Sequence, residues 1–125
     1  MRLIRIFVRK KLPMRLPRTL LAALSLLVVL AGQSVRAEEP AFTLTLKEHK
    51  FTPAELTVPA NTRIKLTIQN QDPTPAEFES HQFKAEKVIA GGHEVTLTIG
   101  PLKPGSYNFF DEYHEKDARG RLIAQ

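Results

Sequence analysis

The chain contains no cysteine, and that absence removes disulfide cross-links, thiolate nucleophiles and thiolate-ligated metal centres together. Small exported domains often lean on disulfides, so this one has to hold its fold by packing alone. Long apolar runs are also missing. The greasiest stretch, residues 20–31, is about 12 residues long, whereas crossing the ~30 Å hydrocarbon core of a bilayer takes roughly 20. No segment sustains a 3.6-residue hydrophobic repeat, which argues against a helical fold. No nucleophile–base pair of recognisable spacing and no phosphate loop is present, so hydrolase and transferase chemistry have little support.

What is present begins with a leader. Arg2, Arg5, Arg9, Lys10, Lys11, Arg15 and Arg18 precede the apolar run, and Val35-Arg36-Ala37 follows it. Charged segment, short apolar segment and small residue at the cut are the grammar of a signal peptide. The expectation is therefore a leader over 1–37, cleaved after Ala37, and an exported domain over 38–125, with an uncleaved anchor as the competing reading. Met14 would open a more compact leader and is an alternative start. The leader holds eight of the 18 basic residues and none of the 13 acidic ones, so residues 38–125 carry ten positive and 13 negative side chains, a net charge of −3. The isoelectric point of 9.7 belongs to the precursor, and nucleic acid is not an expected partner.

From residue 38 onward the pattern changes to short alternating stretches divided by Pro, Gly and Asn, which predicts strands throughout. Phe42-Thr43-Leu44-Thr45-Leu46, Glu55-Leu56-Thr57-Val58-Pro59, Arg63-Ile64-Lys65-Leu66-Thr67-Ile68-Gln69 and Glu94-Val95-Thr96-Leu97-Thr98-Ile99 each place apolar side chains on one face. Further strands are expected over 78–83, 86–89, 106–110 and 120–124. Asn70-Gln71-Asp72-Pro73-Thr74-Pro75 and Gly100-Pro101-Leu102-Lys103-Pro104-Gly105 are turn segments, and Gly91-Gly92 makes a shorter one. Seven or eight short strands at this spacing indicate an all-β sandwich or barrel.

Acidic residues and histidines gather in two places: Glu77-Phe78-Glu79-Ser80-His81 with Glu86 beyond, and Asp111-Glu112-Tyr113-His114-Glu115. On a regular strand Glu77, Glu79 and His81 share one face. Like charges so placed repel unless a cation sits among them. Carboxylate with imidazole suits Fe, Mn, Cu(II) or Zn, whereas a Cu(I) site would want sulfur. The bland alternative is a solvated strand face. His49 and His93 read as surface residues, His81 is evenly balanced between an exposed strand position and a ligand, and Tyr107 and Phe109 read as core, Tyr107 with a hydroxyl bond near a corner.

The order of parts over nearly all of 38–125 resembles the cupredoxin family. Phe51-Thr52-Pro53-Ala54-Glu55-Leu56-Thr57-Val58-Pro59-Ala60-Asn61 is similar to the family's opening, and the loop after Asn70 leads to its first histidine ligand, near which Glu77 and Glu79 stand here. Pro104-Gly105-Ser106-Tyr107 introduces the C-terminal ligand loop, where Asp111 takes the cysteine place, His114 keeps the histidine place and Ala118 takes the methionine place. The resemblance implies a Greek-key β-sandwich, and the departures imply that no blue-copper centre is present, since that centre needs a thiolate with a weak axial ligand.

Glu77-Phe78-Glu79-Ser80 and Glu86-Lys87-Val88-Ile89 are similar to EfeO-type cupredoxin-like proteins of periplasmic iron uptake. That resemblance implies metal ligands among Glu77, Glu79, Glu86, Asp111, Glu112 and His114, bound copper and/or iron, and two partners: a membrane iron permease and an acidic periplasmic iron-binding protein. The expected function is metal binding in support of iron transport. Ferroxidase action would need an open coordination position and an acceptor for the electron, and one small chain shows no second redox centre, so an enzyme is the less favoured form. A non-redox metal carrier and an adaptor that docks a partner on its acidic cluster remain the alternatives.

Overall fold

The computed structural model describes Pro13, Gly32, Ser34 and residues 36–125. The expected signal peptide, 1–37, lies almost wholly outside these residues. Alternation of side chains dictates the architecture that follows. β1 (Ala41–Lys47), β2 (Lys50–Thr52), β4 (Ile64–Asn70) and β7 (Glu94–Ile99) form a four-stranded sheet in the order β2-β1-β4-β7. β3 (Glu55–Val58), β5 (Ala76–Ser80), β6 (Ala85–Ile89), β8 (Gly105–Asp111) and β9 (Arg119–Ala124) form a five-stranded one in the order β3-β9-β8-β5-β6. Pairing is parallel for β1 with β4 and β3 with β9, and antiparallel elsewhere.

Every second residue of the inner strands is buried between the sheets. Leu44, Leu46, Ile64, Leu66 and Ile68 come from one side and Phe78, Ile89, Phe109 and Leu122 from the other. Each such side chain contributes about 1.5–3 kcal/mol relative to exposure. Phe51 packs edge-on against both Phe78 and Phe109, with ring centroids 6.2 and 5.0 Å away. Tyr107 is half-buried, and its hydroxyl donates to the Lys103 carbonyl at 2.7 Å, the corner bond expected of it.

Nine strands stand among the described residues, one more than the upper expectation, because β2 is only three residues long and turns a single side chain, Phe51, inward. The strand expected over 78–83 stops at Ser80, whose hydroxyl donates to the Asn108 carbonyl at 2.6 Å and ends the ladder there. The loop after β4 is stapled by Asn70. Its amide nitrogen donates to the carbonyls of Thr74 (2.9 Å) and Ile89 (3.1 Å), while its side-chain oxygen accepts from the Asp72 amide at 3.1 Å. Gly91 lies so close to this loop that a Cβ there would collide with the Pro73 carbonyl. The stapling places Asp72, itself buried, under the β1–β2 turn.

Candidate metal centre

The ligand candidates collect where β5 pairs with the end of β8. In this register Phe78 faces Asp111 and Glu79 faces Phe110. Phe78, Phe109 and Asp111 therefore point into the sandwich, and Glu77 and Glu79 point out. Just past β8 the chain makes a single 3-10 turn, Glu112–His114, whose Tyr113 amide is capped by the Asp111 side chain.

Asp111 is the hub. Its Oδ1 accepts from the amides of Glu77 (2.9 Å) and Tyr113 (3.1 Å), and its Oδ2 meets Nδ1 of His114 at 2.9 Å. The side chain is 1% exposed, and these contacts answer its charge. The amide of Asp111 donates to the Ala118 carbonyl, and Ala118 is fully buried.

On the outer face Glu77, Glu79 and Glu112 each bring one carboxylate oxygen within 4.8 Å of the others. Glu86 stands directly across from Glu79 in the β5–β6 pair. Crowding of these carboxyls acts on two of them. Desolvation raises the pKa of Glu77, and hydrogen bonding to Glu86 and the charge of Glu112 add to it. Glu112 is raised chiefly by its hydrogen bond to and repulsion from Glu79.

His114 and Asp111 belong to a second group, on the other side of the β8 end, whose third member is His49; one donor atom from each lies within 4.8 Å of the other two. The structure thus divides the six expected ligands between two neighbouring groups, with Glu86 beside the outer one. His49, expected on the surface, is half-buried instead, and its ring stacks on that of His114 with centroids 3.7 Å apart and planes 19° from parallel. The correction has a physical cause. Asp72 accepts the amides of Glu48 (2.6 Å) and His49 (3.0 Å) and stands 3.5 Å from Nδ1 of His49, which draws the β1–β2 turn over the ligand loop. His81 is exposed, with Nδ1 3.2 Å from Oε1 of Glu79 at the margin of the outer group. His93 is exposed at the Gly91-Gly92 turn, as expected.

The donor set decides which ions fit. Imidazole and carboxylate suit Cu(II), Zn(II) or iron, and with no cysteine there is no thiolate here to build a blue-copper centre.

The Cupredoxin-like domain family model matches residues 20–124. An uncharacterized protein of Rickettsia prowazekii (strain Madrid E) is 41% identical over 80 residues, which span 64% of this chain and 64% of that protein's length. Auracyanin A, a blue copper protein of Chloroflexus aurantiacus, is similar in fold with a TM-score of 0.60 at 14% identity, over 70% of this chain and 100% of its own. The metal-binding domain of the Cu(I)-exporting P-type ATPase of Streptococcus pneumoniae D39 gives 0.60 at 14% identity, over 74% and 91%. Amicyanin of Paracoccus versutus gives 0.54 at 17% identity, over 74% and 86%.

Proposed function

The chain belongs to the Cupredoxin-like domain family, and from that premise we propose that it is an envelope metal-binding protein of the EfeO type, holding iron and/or copper in support of iron transport through a membrane permease. One observation carries the reading: Glu77, Glu79 and Glu112 converge within 4.8 Å on one face, with the exposed His81 ring beside Glu79 at its edge. Crowding raises the Glu77 and Glu112 carboxyls above the ordinary carboxylate range, and a bound cation would relieve it. Hard oxygen ligands suit iron in either oxidation state and favour the oxidised ion. The family fold, carried without its thiolate, supports metal handling over blue-copper electron transfer.

In this reading the outer carboxylates receive Fe(II) as cargo, Glu86 completes their shell, and the exposed turn lets the ion leave toward the permease or an acidic periplasmic iron-binding partner. The protein acts as a carrier. Ferroxidase turnover is the variant in which bound Fe(II) loses its electron to dioxygen. A second reading, an adaptor that docks a basic partner on the same face, draws support from two apolar side chains there, Val88 and Tyr113, each 51% exposed.

Thermal unfolding of the purified protein, apo and with Fe(II) under argon, tests the proposal. A cation at 100 times its dissociation constant stabilises the fold by about 2.7 kcal/mol, a rise in Tm of at least ~10 °C for a domain this small. That shift should vanish in the double variant Glu79→Gln, Glu112→Gln. Oxygen consumption on admitting air separates ferroxidase from carrier. No shift with iron, copper or zinc would overturn metal binding in favour of the adaptor.

A further inference from the structure

The β1–β2 turn is built against its own backbone preference. A two-residue hairpin with both φ angles positive favours Asn-Gly, yet this one carries Glu48 (φ 51°) and His49 (φ 57°), both in the left-handed region. What keeps it there is Asp72, which accepts both turn amides. Strained backbone that a buried carboxylate holds in place points to a side chain that must be delivered somewhere. The side chain delivered is His49, and the place is the face of His114.

We propose that His49 and His114 form a two-imidazole site for a borderline divalent cation, Cu(II) foremost, with Asp72 and Asp111 as positioning residues. Each ring turns Nδ1 toward its own aspartate, His49 to Asp72 at 3.5 Å and His114 to Asp111 at 2.9 Å. A carboxylate on one ring nitrogen is the arrangement that fixes a metal-ligating histidine, makes it more basic and leaves Nε2 as the free donor. Having two such pairs side by side separates this group from an ordinary surface histidine. Imidazole donors bind Cu(II) most strongly among the divalent first-row ions. His114 stands at the family's histidine place, but His49 enters from a turn that supplies no ligand in that scheme, so the donor pair is this chain's own.

The stack makes a further statement. Rings 19° from parallel carry their in-plane lone pairs side by side, so they do not converge at the ~2.0 Å of a metal–nitrogen bond. Occupancy therefore tilts one ring and opens the stack. The ring free to do so is His49, whose contact with Asp72 is the longer of the two.

The inference shares with the proposed function only the premise that the chain binds metal, and the two fail separately. The probe is Cu(II) alone, titrated into the purified apo protein, with affinity read by competition against a chelator and nitrogen coordination by electron paramagnetic resonance. One tightly bound equivalent with hyperfine splitting from two nitrogens is expected. His49→Gln should lose one nitrogen and at least tenfold in affinity, and Asp72→Asn should keep both nitrogens while binding about 10–100 times more weakly. Glu79→Gln, which damages the outer carboxylates, should leave the spectrum unchanged. The double variant Glu48→Asn, His49→Gly guards against misfolding, since it suits the turn and should raise Tm while losing the same nitrogen. If His49→Gln binds Cu(II) with unchanged affinity and nitrogen count, or if Glu79→Gln rather than His49→Gln removes the site, the proposal is wrong.

Discussion

Two regions share Asp111 and stand in opposite electrostatic condition. On its inner side every charge has an answer: Asp72 meets His49 and two amides, and Asp111 meets His114 and two more. Across the strand, Glu77, Glu79, Glu86 and Glu112 have chiefly one another. The inner group is complete without an ion and is arranged in advance; the outer group is incomplete without one. Preorganisation and unsatisfied charge are two different ways for a protein to prepare for a cation, and here one short 3-10 turn serves both, giving Glu112 to the outer group and His114 to the inner one.

The largest effect should come from removing what the two regions share. Asp111→Ala strands the amides of Glu77 and Tyr113 and frees His114, a loss of about 3–5 kcal/mol in urea unfolding. Loss of less than ~1 kcal/mol would mean that the hub is dispensable and that the regions are independent. Asp72→Ala touches the inner group only and should cost about 1–3 kcal/mol, because two turn amides lose their acceptor.

The outer group should show itself in the pH dependence of the apo protein. Glu77 and Glu112 have folded pKa values raised above those of the unfolded chain. The folded state therefore binds the extra protons, and the stability these groups lend at low pH is lost as pH climbs from the ordinary carboxylate range through their raised values. Urea midpoints measured across that window should fall with pH. The slope should flatten in Glu79→Gln, Glu112→Gln, which is expected to be more stable than the parent at neutral pH. A parent slope of opposite sign would contradict the repulsion described here. Smallest of all, His81→Ala should change stability by no more than ~0.5 kcal/mol, since that ring is exposed and touches the cluster only at its edge.

The sandwich was legible because period-two alternation is a local signal, and β4 and β7 repeat it over six or seven residues each. Three residues of β2 are too few to show a period, and the end of β5 depends on a hydroxyl bond from Ser80 to a carbonyl 28 residues away. The outer carboxylates could be read as a group because two of them alternate along one strand. His49 could not. Its partners are Asp72 and His114, brought to it by parallel pairing of β1 with β4 and by the ligand loop, and nothing between Glu48 and Lys50 announces either. The one available hint was a two-residue turn between alternating runs with neither Asn nor Gly in it.

The place of β9 sets a timetable for the chain. β9 lies between β3 and β8, and among the described residues β3 pairs with no other strand. As the polypeptide emerges from the ribosome, the five-stranded sheet cannot close, and Phe109 cannot be covered by Gly120, until β9 has left the tunnel. Contacts that join the start of a chain to its end are slow to form. The sheet therefore stays open until the ninth strand is available, however early the first eight are made.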